Sequence, residues 1–339
     1  MWNITLPVAE ISFPLIILLI IGFCVGVLGG FFGVGGAWIV TPALNIFGFP
    51  MSYAIGTDLA HIFGKSIIAT KKHSKMGNVD IKIGLIAIIG SVIGVEIGAQ
   101  VVMWLTQIGM AGSIVRWVYI VLLFSLSIFM LFDYVNATKN HKKTDSPKSA
   151  PSIPGKTISQ KIKDLNIPPF VSCPVSGIKK ISIWVIIGVF FVVGFLSGFL
   201  GVGGGFITLP ALIYLLDVPT AIAVGTSLFT VLFIGGYGCF TYAVKGRVEV
   251  VAALIMLFGA AIGAQIGVTA VKYIRGYGIR LLFAIMIFFA GLSVILKQFN
   301  LTQAAAYTVM IAASSMCLII MGGLIKGMKK EKQKIEKSA

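Results

Sequence analysis

Asp58, His61 and Lys65 stand three and four residues apart in an otherwise apolar stretch. If that stretch is helical, the spacing stacks all three along one face. A carboxylate, an imidazole and an ammonium in such a row could relay a proton or face a polar cavity. A structural ion pair that locks two helices together would use the same residue types. Lys65 stands near Lys71-Lys72-His73-Ser74-Lys75, so it is expected to snorkel toward an aqueous interface. Glu96 is a further carboxylate in apolar surroundings, between Gly94 and Gly98. It is expected to be protonated, paired in space or part of a proton path. The coupling set is therefore Asp58, His61, Lys65 and Glu96. No second His or Cys stands at ligand spacing from His61, so neither a metal nor another cofactor is expected.

A second kind of chemistry lies in the glycines. Gly29-Gly30-Phe31-Phe32-Gly33-Val34-Gly35-Gly36 is echoed by Ser197-Gly198-Phe199-Leu200-Gly201-Val202-Gly203-Gly204, with Pro42 and Pro210 downstream at the same distance. Closely spaced glycines break a helix and let the backbone approach a ligand. A helix that starts directly after them offers free N–H groups to an anion. Gly33, Gly35, Gly36, Gly201, Gly203 and Gly204 are therefore expected to bind substrate, with Thr57, Thr226 and Ser227 beside them. These are not P-loops, because no Gly-Lys-Ser or Gly-Lys-Thr follows. Gly90, Gly94, Gly98 and Gly259, Gly263, Gly267 read instead as close helix packing.

The repeat extends further. Ala54-Ile55-Gly56-Thr57-Asp58-Leu59 matches Ala223-Val224-Gly225-Thr226-Ser227-Leu228, and Gly77-Asn78-Val79-Asp80 matches Gly246-Arg247-Val248-Glu249. The second half keeps the hydroxyl of Thr57 as Thr226 but not the charges: Ser227, Thr230 and Ile234 stand for Asp58, His61 and Lys65. Gln265 stands for Glu96.

The elements that must position these residues follow from composition. The chain is 58% hydrophobic and 11% charged, against about 25% charged in a soluble domain. Its apolar runs are continuous rather than alternating, so they read as membrane-spanning helices. Eleven segments are drawn, at roughly 12–32, 36–48, 52–71, 81–104, 113–135, 181–200, 204–216, 220–244, 249–271, 278–298 and 303–325. The second and seventh are too short to span and carry a proline, so each glycine loop is expected to dip into the membrane. The fold class is an all-α polytopic membrane protein with two inverted-topology repeats of about five helices, an extra C-terminal helix and short broken helices after the glycine loops.

The net charge of +16 sits in loops and tail, which marks a cytoplasmic side rather than a nucleic-acid partner. With Lys71 to Lys75, the central linker and the tail inside, the N-terminus is outside and the repeats are inverted. The divisions are repeat 1 over 1–135, a basic cytoplasmic linker over 136–180, repeat 2 over 181–298, and the extra helix with its basic tail over 299–339. The four cysteines, Cys24, Cys173, Cys239 and Cys317, are scattered and suggest no disulfide framework.

Both glycine loops with their prolines, the Gly56-Thr57 and Gly225-Thr226-Ser227-Leu228 motifs, and the Asn78-Val79-Asp80 and Arg247-Val248-Glu249 joints resemble the sulfite exporter TauE/SafE family of membrane permeases. The resemblance covers both halves but not the linker or tail. It implies transport of small sulfur-containing anions, such as sulfite or organosulfonates, across a prokaryotic cytoplasmic membrane. The reading is a non-enzymatic secondary transporter whose partners are the anion, protons and the lipid bilayer. A facilitator driven by the anion's own gradient, or a thiosulfate uptake permease with a cysteine relay, is the alternative within transport. An intramembrane enzyme using Asp58 and His61 is the alternative of another class; the doubled loops suit alternating access better than one catalytic centre.

Overall fold

The computed structural model describes residues 3–34, 37–141, 167–201, 203–274 and 277–338. These form eleven helices and two β-hairpins. In repeat 1 the helices are α1 (Leu15–Phe32), α2 (Ala37–Ile46), α3 (Met51–Lys75), α4 (Ile81–Gln107) and α5 (Ala111–His141). In repeat 2 they are α6 (Ile183–Leu200), α7 (Gly205–Pro210), α8 (Thr220–Val244), α9 (Val250–Ala270) and α10 (Tyr277–Gln298), and α11 (Thr302–Ser338) follows. Each answers to one apolar segment of the sequence. Eight are long and apolar enough to cross a membrane. α2, with 10 residues, reaches only about 15 Å, half the hydrocarbon thickness.

Local sequence explains the breaks. α1 and α6 both stop on a glycine with φ 75° and ψ 16°, Gly33 and Gly201, a left-handed cap that a side chain would disfavour. Pro42 lies inside α2. Pro210 ends α7 and the chain continues as a π-helical turn, Ala211–Leu215, before α8.

Helices of opposite repeats interlock. A Cβ on Gly22, Gly26 or Gly30 of α1 would fall within 2.6 Å of backbone atoms of Met256, Ala260 or Ala264 on α9. Gly90, Gly94 and Gly98 of α4 approach the α6 backbone at Ile187, Phe191 and Phe195 in the same way. Small residues let helix backbones touch where lipid supplies no hydrophobic drive.

Counterpart helices run antiparallel. On α3 and α8, Gly56 lies against Arg247 and Tyr242, Leu59 against Gly238, and Ile62 against Gly235. On α5 and α10, Arg116 meets Gln298, Phe124 meets Phe288, and Asp133 meets Arg280. Antiparallel counterparts are related by an axis perpendicular to their length.

Two hairpins were not foreseen. β1 (Asn3–Leu6) pairs with β2 (Ile11–Pro14), and β3 (Phe170–Cys173) with β4 (Ile178–Ser182), across the boundary drawn at 180 between linker and repeat 2. Their turns carry out matching tasks. Val8 and Ala9 N–H donate to Glu249 Oε2 at 2.8 and 3.0 Å. Ser176 donates its N–H and hydroxyl to Asp80 Oδ2 at 3.2 and 2.6 Å. Asp80 and Glu249 are repeat counterparts, each at the N-cap of a long helix. Residues 142–166 of the expected linker lie outside the described residues.

Candidate functional site

The glycine stretches meet each other inside the bundle. A Cβ on Gly205 would sit 2.1 Å from Val34 O, and Thr41 Oγ1 of α2 comes 3.5 Å from Gly201 O. Gly33 is pressed against Val224 of α8, and Gly201 against the counterpart Ile55 of α3. Gly203 lies against Ile62 and Val231, and Gly204 against Val193 and Ile234. Ile62, Val193 and Ile234 stand near the middles of α3, α6 and α8, so this loop sits at half depth. Gly35 and Gly36, also expected in the site, lie outside the described residues.

Asp58, His61 and Lys65 are all fully buried on α3. Asp58 Oδ2 accepts from Thr41 N–H at 3.0 Å and Thr41 Oγ1 at 2.8 Å. His61 Nδ1 is 3.6 Å from Asp58 Oδ1, an electrostatic contact too long for a hydrogen bond. Among the described residues, Asp58 Oδ1, both His61 nitrogens and Lys65 Nζ have no hydrogen-bond partner. Lys65 does not snorkel, contrary to the sequence reading. Ten residues, about 15 Å of helix, separate it from the end of α3, beyond a lysine's reach. Leaving an ammonium buried without hydrogen bonds costs far more than packing returns, so the position needs another explanation than stability.

The second repeat is neutral at these places. Ser227 Oγ comes 3.5 Å from Gly205 O, and Thr230 Oγ1 bonds Ser227 O in its own helix at 2.8 Å. Thr57 and Thr226 have taken tasks of their own. Thr57 Oγ1 accepts from Glu249 N–H at 3.0 Å, and Thr226 Oγ1 from Asp80 N–H at 2.8 Å. Each threonine thus fastens the helix start of the opposite repeat.

Glu96 stands apart. It is partly exposed on α4, accepting from Gln100 at 2.6 Å, Tyr237 at 3.1 Å and Thr241 at 3.2 Å. None of these belongs to the Asp58 row. Sequence reasoning missed Thr41, because its repeat counterpart is Leu209 and the match draws the eye to the next residue, Pro42. It also missed Tyr119 and Tyr242, whose hydroxyls donate to Leu200 O and Gly198 O, both at 2.8 Å, and fasten the end of α6. Among the described residues, no cluster of His, Cys, Asp and Glu could hold a metal ion.

The sequence is similar to "Probable membrane transporter protein YunE" of Bacillus subtilis (strain 168), with 27% identity over 289 residues, 83% of this chain and 97% of the relative. It is also similar to "Probable membrane transporter protein MJ0441" of Methanocaldococcus jannaschii, with 27% identity over 306 residues, 85% of this chain and 98% of the relative. No solved structure matches. The profile described as "Sulfite exporter TauE/SafE" matches residues 18–294, spanning both glycine loops and both hairpin-capped helix starts. With its eight long apolar helices the chain is a multi-pass membrane transporter, and it belongs to the sulfite exporter TauE/SafE family.

Proposed function

We propose that this transporter is a secondary carrier of small sulfur-containing anions, sulfite or an organosulfonate among them, coupled to protons. The observation that carries the reading is the fully buried row Asp58–His61–Lys65, whose polar atoms lack hydrogen-bond partners among the described residues, apart from the one Asp58 oxygen held by Thr41. An unbonded buried ammonium suits a transient anionic partner, and a carboxylate and imidazole beside it can change charge as that partner comes and goes. Gly33, Gly201, Gly203 and Gly204, with Gly35 and Gly36 by the repeat, would bring backbone to the substrate. Glu96, on the flank of α4, would be a separate titrating group.

The repeats are read as inverted, with their relating axis in the membrane plane. The antiparallel run of α3 with α8 and of α5 with α10 supports this. Tyr273 reaches Glu331 at 2.7 Å and Lys72 reaches Thr269, which gathers Lys72, Lys272 and the lysine-rich tail at one end. The positive-inside rule makes that end cytoplasmic and the N-terminus external.

The test is flux into proteoliposomes over a panel of anions, with and without a pH gradient. Uptake of sulfur anions that a proton gradient accelerates is the expected result. Flux indifferent to pH would make the protein a facilitator driven by the anion gradient. Conversion of the anion without a sealed membrane would overturn the transport reading in favour of an enzyme.

A further inference from the structure

We propose that Arg116 and Lys297 form an oxyanion docking site at the end of the bundle where α5 begins and α10 finishes. The proposal rests on the anion-transport reading and says where the anion is held at that end of the bundle. The two side chains line one small cavity between α2, α5 and α10, together with Pro42, Asn45, Met51 and Tyr119. Both are partly buried, and Lys297 feels the like charge of Arg116. Arg116 Nε donates to Gln298 Oε1 at 2.8 Å, a neutral partner. Among the described residues, no carboxylate lies within ion-pair distance of either cation. Two half-buried positive charges without a counterion are expensive unless an anion visits. Planar guanidinium and compact ammonium are the two groups best suited to bind an oxyanion.

The other end of the same helix pair shows the contrast. Ile46 and Met51 of this cavity correspond to Tyr214 and Thr220 in the second repeat. There Tyr214 donates to Asp133 Oδ2 at 2.9 Å, Arg280 lies 3.4 Å from the same oxygen, and Arg280 also donates to Thr220 Oγ1 at 3.3 Å. One end thus answers its arginine with a built-in carboxylate, and the other adds a second cation. The open end also leads inward. Tyr119 lines the cavity, neighbours Thr41, and donates to Leu200 O at 2.8 Å. Thr41 in turn holds Asp58. The cavity is only large enough for about one water molecule, so an anion must displace that water and spread the two cations, whose repulsion favours spreading.

Initial rates of sulfite, sulfate, thiosulfate and methanesulfonate flux would be measured for the parent, Arg116→Gln, Lys297→Gln, Arg116→Lys and Gln298→Ala. Each Gln variant should raise KM about tenfold with Vmax nearly unchanged, as for a lost charge-assisted contact. Gln298→Ala, which keeps both charges, should stay within about threefold of the parent, and Arg116→Lys, which keeps the charge but loses the planar fork, should fall between the parent and Arg116→Gln. In the parent, raising the salt from about 20 to 500 mM should raise KM several-fold. This arm needs no variant to fold. Unchanged KM in both Gln variants, or a salt-independent KM in the parent, overturns the docking site and leaves the transport reading standing. A parent that carries none of the four anions overturns both.

Discussion

The hydroxyl of Thr41 donates to Asp58 Oδ2 at 2.8 Å, and the Thr41 backbone N–H donates to the same oxygen at 3.0 Å. The short helix α2 is thereby tied to the charged row of α3 at the point where it faces the second glycine loop. Thr41→Val keeps the backbone donor and removes the hydroxyl. It should cost roughly 1–3 kcal/mol in detergent melts. A variant as stable as the parent would mean that the hydroxyl's bond is not formed in the membrane protein.

Asp58→Asn keeps the shape of the side chain and removes its titration. Gradient-driven anion flux should be lost, while anion exchange without a gradient partly survives. Glu96→Gln should alter the pH profile less, because Glu96 is partly exposed and held by three neutral partners. Paired flux and exchange assays on the two variants decide this. An unchanged pH profile in Asp58→Asn removes it from any proton path.

Gly205→Ala would drive a Cβ to 2.1 Å from Val34 O, where only backbone can yield. Very little folded protein should survive size-exclusion chromatography. Gly48 has φ +108° and nothing within 4 Å, so Gly48→Ala meets backbone strain alone, about 1–3 kcal/mol. Equal yields from the two would show that the glycine stretches do not pack against each other.

Asp80 caps α4 by accepting from Lys82 and Ile83 N–H, and it holds the Ser176 turn with its other oxygen. Asp80→Ala should cost about 1 kcal/mol for the cap and a further 1.5–3 kcal/mol for the charged bonds. Asp80→Ser should recover the cap and not the hairpin. Hydrogen exchange across 170–182 separates the two: fast exchange in both variants is expected, and protection retained in Asp80→Ala would refute the link.

Val8 and Val175 are exposed on the two hairpins, at 39% and 47%. In a cysteine-free background, Val8→Cys should react with an impermeant maleimide from outside and Val175→Cys only after permeabilisation. Native Cys173 is a poor reporter. It is buried, and burial together with the Asp80 carboxylate pushes its thiol up to about 11, so little thiolate exists below that pH. Its labelling should be slow near pH 7 and quicken only as the pH approaches 11. Labelling of both engineered cysteines from one side would sink the inverted-repeat reading.

Much was legible in the residues alone. Continuous apolar runs, glycine punctuation and the repeat located the eleven helices of the described residues, because each is a local property of hydrophobicity and backbone freedom. The family followed from the same motifs, and the profile match spans 18–294. The charged row was visible because three ionisable residues in an apolar helix at helical spacing need no partner to be noticed. What lay across the fold was hidden. Thr41 and Asp58 are 17 positions apart, Ser176 and Asp80 are 96, and Val8 and Glu249 are 241. Nothing local marks such pairs, because a hydrogen bond between distant segments depends on how helices dock. Burial of Lys65 was decided the same way. The closure of the second repeat over α3 keeps it from water, and that is not written in the residues around it.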